Sequence, residues 1–134
     1  MGTRKTTDLW VTTTNELGAL SRLTTQLKSN NVNVECFVAW EEGKTANFRF
    51  TTSDNNKARD LWTKAGYTVK EEPVVLWTTS NRPGTLHEGT TALAEANINT
   101  FCSYASTPGG TNTTTVVFYT DNPDRTTDVL NRLG

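Results

Sequence analysis

Long apolar runs are absent from this chain, and so are runs of a single charge. No segment is apolar and long enough to cross a membrane as a helix. The 13 basic residues nearly cancel the 14 acidic ones, for a formal net charge of −1. Lys and Arg are scattered, so no basic patch marks a nucleic-acid partner. There is one histidine, His87, and no nucleophile is paired with it, which leaves a hydrolytic triad unsupported. The two cysteines, Cys36 and Cys102, have no flanking His and make a poor zinc site. They read as reduced, buried packing residues. A Gly-rich phosphate loop of the P-loop form is missing. The first eight residues, Met1 to Asp8, lack the apolar middle of a secretion signal. The expectation is a cytoplasmic protein with no metal, no cofactor, and no nucleic-acid or membrane partner.

What is present in excess is threonine, roughly a fifth of the chain against a few per cent in ordinary usage. Its branched side chain suits the pleated surface of a strand. More informative is an internal repeat. Asn15-Glu16-Leu17-Gly18-Ala19-Leu20 matches Asn81-Arg82-Pro83-Gly84-Thr85-Leu86, and Asn31-Val32-Asn33-Val34-Glu35-Cys36 matches Asn97-Ile98-Asn99-Thr100-Phe101-Cys102. One constant register aligns both blocks, so two related units, 1–72 and 73–134, are expected. Each is near the lower size limit for folding alone, so a shared interface is expected too.

In the first unit, Asp8 to Thr14 reads as a strand, punctuated by Asn15 and Gly18. Leu20, Leu23 and Leu27 recur at helical spacing as far as Asn30. Val32 to Trp40 alternates as a strand, and Glu41-Glu42-Gly43-Lys44 is a hairpin turn. A second strand holds Phe48 and Phe50. Asp54 caps a helix bearing Ala58, Leu61, Trp62 and Ala65, which ends at Gly66. Tyr67-Thr68-Val69 starts a last strand. The order is strand, helix, strand, strand, helix, strand, which packs an antiparallel sheet with both helices on one face.

The second unit repeats the order. Its strands span Val74 to Thr79, Ile98 to Ala105 and Thr114 to Thr120. Its helices run from about Pro83 to Ala96 and from Pro123 through Val129, Leu130 and Leu133. It ends without a counterpart of Tyr67-Thr68-Val69. The edge this leaves bare needs a cover: the N-terminal segment, the Tyr67–Thr79 connection, or another chain. Apolar residues occur on both phases of some strands, as in Trp10 beside Val11 and Leu76 beside Trp77, so the face away from the helices should be covered as well.

Asn81-Arg82-Pro83-Gly84-Thr85-Leu86 and Ala96-Asn97-Ile98-Asn99 resemble the ACT domain, the small-molecule regulatory module of many enzymes of amino-acid metabolism. The second unit is similar to the regulatory domain of bacterial phosphoglycerate dehydrogenase, whose loop also reads Asn-Arg-Pro-Gly. In the first unit, Leu17 stands where that pattern has Pro. The resemblance implies an α+β protein of two ferredoxin-like βαββαβ units in tandem, free of a catalytic domain. It also implies an amino acid held where two units meet. Carried over, one site would use Asn15 with Asn99 and the other Asn81 with Asn33. Thr13 and Thr79 stand where the dehydrogenase pattern has a His.

The residue types suit that chemistry. A free amino acid is a zwitterion, and an Asn amide offers both a donor and an acceptor without a net charge to desolvate. Backbone N–H groups at the helix starts near Gly18 and Gly84 favour a carboxylate, and glycine lets the backbone come close. The plain structural alternative is that Asn15 and Asn81 cap helices or turns and that Asn33 and Asn99 are strand-entry turn residues. The function these features support is a non-catalytic amino-acid sensor acting on a regulated enzyme or other protein partner, with the chain as a homodimer. Three other readings compete. An RNA-binding domain shares the element order and would use Phe48, Phe50, Phe118 and Tyr119, but the neutral charge and the absence of a Lys/Arg-Gly-Phe pattern weigh against it. A small ferredoxin-like enzyme would need a phosphate loop around Asn81 and Arg82. The last is an assembly module that binds no ligand.

Overall fold

Branched and aromatic residues dominate the start of the chain, and there the computed structural model, which describes residues 2–133, has a strand, β1 (Gly2–Thr14). Next come α1 (Ala19–Ser29), β2 (Val34–Glu42), β3 (Thr45–Thr52), α2 (Asn55–Lys64), β4 (Thr68–Ser80), α3 (Thr85–Glu95), β5 (Thr100–Ser106), β6 (Thr113–Thr120) and α4 (Pro123–Asn131). Capping residues explain several boundaries. Asp54 accepts a hydrogen bond from the Lys57 N–H at 3.0 Å, Asn122 accepts from Arg125 N–H at 3.0 Å with Pro123 in the first helical turn, and Gly66 ends α2 at φ 94°.

The chain divides into two compact units, Thr7–Glu72 and residues 2–6 together with 73–133. In the first the strands run in the order β2-β3-β1-β4, and in the second β1-β4-β6-β5. Pairing within each is antiparallel: Val11 faces Phe48 and Thr13 faces Ala46 in the first, while Trp77 faces Val116 and Thr79 faces Thr114 in the second. Each unit is therefore the α+β, ferredoxin-like arrangement that the element order implies.

Element boundaries differ from the sequence reading at β1, β4 and α3. β1 begins at Gly2 instead of Asp8, and the stretch read as two strands with a connection is one strand, Thr68–Ser80. Of the three covers expected for the second unit's bare edge, the N-terminal segment is the one that serves: residues 2–6 supply the missing strand, next to β4 in the sheet order. There Thr3 Oγ1 donates to Asn131 Oδ1 at 3.0 Å, and the Lys5 ammonium meets the Asp124 carboxylate at 2.7 Å. Finally, α3 starts at Thr85 and not at Pro83, because Gly84 is left-handed (φ 91°) and acts as the N-cap. Gly18 (φ 83°) does the same for α1. Neither helix takes a side-chain cap from Asn15 or Asn81.

The core of the first unit joins Leu9 and Val11 of β1, Leu23 and Leu27 of α1, Phe48 and Phe50 of β3, and Ala58 and Trp62 of α2. Trp62 is fully buried, and its indole N–H donates to the Leu23 carbonyl at 3.1 Å, which satisfies the one polar atom of the ring. The second unit's core joins Val75, Trp77, Leu93, Val116, Phe118, Val129 and Leu130. The two cores fill one space differently. Val11 and Leu23 of the first unit correspond to Trp77 and Gly89 of the second. A Cβ on Gly89 would lie 2.4 Å from the Trp77 ring, so the large indole requires the missing side chain.

The opposite strand faces are buried as well, as the mixed apolar phases suggested. In the first unit that face is polar: Arg49, 4% exposed, donates twice to the fully buried Asp8 carboxylate, at 2.9 and 3.1 Å. Trp10 donates to Asn47 at 3.0 Å. In the second unit it is apolar, with Val74, Leu76 and Val117 buried. Cys36 is buried and Cys102 half-buried. Among the described residues no helix is long and apolar enough to cross a membrane.

Candidate ligand-binding loops

In the first unit the residues after β1 cannot continue the sheet, because the chain must turn into α1, and left-handed Gly18 makes that turn. The Asn15 N–H donates to the Lys44 carbonyl at 2.8 Å. Its side-chain Nδ2 donates to the Glu41 carboxylate and to the Gly43 carbonyl, the latter at 3.3 Å. Asn15 thus fastens the loop to the β2–β3 hairpin. Arg22, one turn into α1, donates to the Leu17 carbonyl and to the Glu16 carboxylate, each at 3.2 Å. The N–H groups of Leu20 and Ser21 fall in the first helical turn, where a helix offers them no acceptor of its own.

A hollow of about 440 Å³ lies against this loop, lined by Asn15 to Ser21 together with Ala46 and Phe48. That volume falls in the range, roughly 300–1,000 Å³, in which small-ligand sites occur. Asn15 and Gly18 line it. Thr13 is half-buried on the helix side of β1, where its register partner Ala46 forms the wall.

Asn33 lies elsewhere in the unit. It follows α1, past the left-handed Asn31 (φ 58°), and borders a second hollow of about 390 Å³ shared with Thr24, Leu27, Lys28, Asn31, Val32 and Val34. Its backbone is fixed at both ends: the N–H donates to Ser53 Oγ at 2.9 Å, and the carbonyl accepts from Ser53 N–H at 2.8 Å. Its side-chain amide has no hydrogen-bond partner among the described residues. The helix between Asn15 and Asn33 has 11 residues, roughly 16 Å at the usual rise. One unit therefore does not bring its own two asparagines together.

The second unit repeats these features. Asn81 N–H donates to the Asn112 carbonyl at 2.8 Å and its side chain to the Thr111 carbonyl at 3.3 Å. Arg82 is paired with Glu88 at 3.2 Å. Asn99 follows left-handed Asn97 (φ 60°), is exposed, and is anchored through its N–H to Asp121 Oδ1 at 3.2 Å. Its amide too is unpartnered among the described residues. Thr79 is buried on the core side of β4, in register with Thr114. Thr85, next to Gly84, buries a hydroxyl with no hydrogen-bond partner among the described residues.

The sequence reading missed Glu41, Leu17, Ala46 and Phe48. Glu41 reads as a turn charge, and only the hairpin register reveals its contact with Asn15. Leu17 is 100% exposed, a state that local pattern does not disclose.

Each unit thus opens its first helix on a left-handed glycine and ties an Asn to the neighbouring hairpin, which makes the chain a duplicated ferredoxin-like module. The chain belongs to the ACT domain pair family, whose model matches residues 5–133. Solved structures share the fold. Protein BT0572 from Bacteroides thetaiotaomicron is similar at 23% identity and a TM-score of 0.89, covering 98% of this chain and 90% of that one. The regulatory subunit of aspartate kinase from Thermus thermophilus, in its ligand-free form, is similar at 10% identity and a TM-score of 0.70, covering 98% and 96%. The aspartokinase alpha and beta subunits give 16% identity and a TM-score of 0.71, covering 98% and 96%. No curated protein sequence matches the chain.

Proposed function

We propose that this chain is a non-catalytic sensor that binds a free amino acid at its Asn-to-Gly loops and passes the bound state to a partner protein, an enzyme whose activity it regulates. The observation that carries this reading is the doubled loop. In both units a left-handed glycine exposes first-turn N–H groups beside a neutral amide, and a second, unpartnered amide stands at the start of the next strand. Donors for a carboxylate and neutral acceptors for an ammonium are what a zwitterion requires. The pairing of Asn15 with Asn99 and of Asn81 with Asn33 belongs to the proposal. So do a division of the repeated sequence at 1–72 and 73–134, a cytoplasmic location and a homodimer. Two of the similar structures are regulatory subunits or subunits of an aspartate kinase, which agrees with a regulatory role. Coupling of roughly 1–3 kcal/mol between ligand and partner would suffice for control.

Thermal stability in the presence of each of the twenty amino acids tests the reading. A ligand at a hundred times its Kd stabilises by about 2.7 kcal/mol, so at least one amino acid should raise the melting temperature. Asn81→Ala should then weaken binding about tenfold, since a polar contact to a charged group is worth roughly 1.5–3 kcal/mol. If no amino acid shifts the transition, the sensor reading fails. The second reading, assembly without a ligand, draws on the bonds from Asn15 and Asn81 to their hairpins. It requires Asn81→Ala to lower stability while no isotherm changes.

A further inference from the structure

The two loops differ in charge, and the difference bears on what the first one takes. Glu41, an exposed residue one short of the end of β2, lies opposite Ala46, a residue of the hollow beside Asn15. Its carboxylate and the Gly43 carbonyl together occupy the Asn15 side-chain N–H group. Asn15 Oδ1 is therefore the part of the amide left to a ligand, and a carboxylate with unused acceptor capacity stands next to it. Two acceptors, one of them charged, are suited to an ammonium and repel a carboxylate.

The rest of the hollow has the opposite preferences. The Leu20 and Ser21 N–H groups at the start of α1 favour an anion. Between these poles the wall is hydrocarbon: Leu17, Ala19, Leu20, Ala46 and Phe48. Glu16, the one charged residue in the lining, is already paired with Arg22 at 3.2 Å. Leu17 presents its whole side chain to solvent, apolar surface that a hydrocarbon ligand would cover. In the second unit the position corresponding to Glu41 is Thr107. Its hydroxyl bonds to Thr114, the register partner of Thr79 as Ala46 is of Thr13. No carboxylate stands there.

We propose that the hollow beside Asn15 binds a free α-amino acid with an aliphatic side chain, that Glu41 and Asn15 Oδ1 receive its ammonium, and that Leu17 and Phe48 pack on its side chain. The Asn81 loop, with Thr107 in place of the carboxylate, does not select for the amine. This rests on the sensor reading and names the ligand class of one of its sites.

Calorimetry on the full chain with L-leucine, with 4-methylpentanoate (the same skeleton without the amine) and with L-aspartate tests it. L-leucine should bind at least about tenfold more tightly than 4-methylpentanoate, in line with a charge-assisted contact. Glu41→Gln keeps an acceptor for Asn15 and should erase most of that ratio. Leu17→Ser, at a fully exposed position that leaves the fold undisturbed, should weaken L-leucine severalfold without changing the ratio. A ratio that survives Glu41→Gln overturns the role of Glu41. Tighter binding of L-aspartate than of L-leucine overturns the aliphatic assignment and leaves the sensor reading standing. If none of the twenty amino acids binds at all, the sensor reading itself is wrong.

Discussion

Gly89 and Trp77 show how a single residue can carry a constraint that its own neighbourhood in the sequence does not announce. A glycine inside a helix costs about 1 kcal/mol relative to alanine, so Gly89→Ala on propensity alone should stabilise α3. Here the added methyl would enter the Trp77 ring at 2.4 Å, and overpacking of that kind costs roughly 1–3 kcal/mol. Gly89→Ala is therefore expected to destabilise, read as a lower urea midpoint with an unchanged slope. Exchanging both partners for the first unit's pair, Trp77→Val with Gly89→Leu, conserves more of the volume. That double variant should lose less stability than Gly89→Leu alone, and the opposite order would refute the packing argument.

At the scale of elements, the strands and helices were largely legible because their signals are local. Alternation marked β2, helical spacing marked α1, and the side chain of Asp54 sits where the cap signal put it. The start of α3 was misjudged because Pro83 suits a first helical turn as well as it suits the turn before a left-handed glycine. The place of residues 2–6 was not legible either. The sequence shows a second unit that stops early, and three different segments could have completed it. In the structure Thr3 and Lys5 are fastened to Asn131 and Asp124 of α4. Removing residues 1–6 would leave β4 with an unpaired edge in the second unit. The truncated chain is expected to lose stability and to self-associate more readily, checked by denaturation and by light scattering. A truncated chain as stable and monodisperse as the parent would show that the strand is dispensable.

For the whole molecule the prediction concerns number. Two loops built alike should give two binding events per chain for the physiological amino acid, and the Glu41–Thr107 difference should make them unequal. Calorimetry should resolve a tighter and a weaker site, with Asn15→Ala and Asn81→Ala each removing one. A single event abolished equally by both substitutions would mean that one site uses both loops.

The duplication, the α+β class and the candidate amides were determined by the sequence alone, because a repeat, a period and a cap are written in residues close together along the chain. Tertiary structure alone decided that Glu41 would meet Asn15, that Gly89 would lie under Trp77, and that residues 2–6 would finish the second unit. Each of those depends on chain segments far apart in sequence coming within a few ångströms, and spacing along the chain carries no record of which distant side chain fills a given gap.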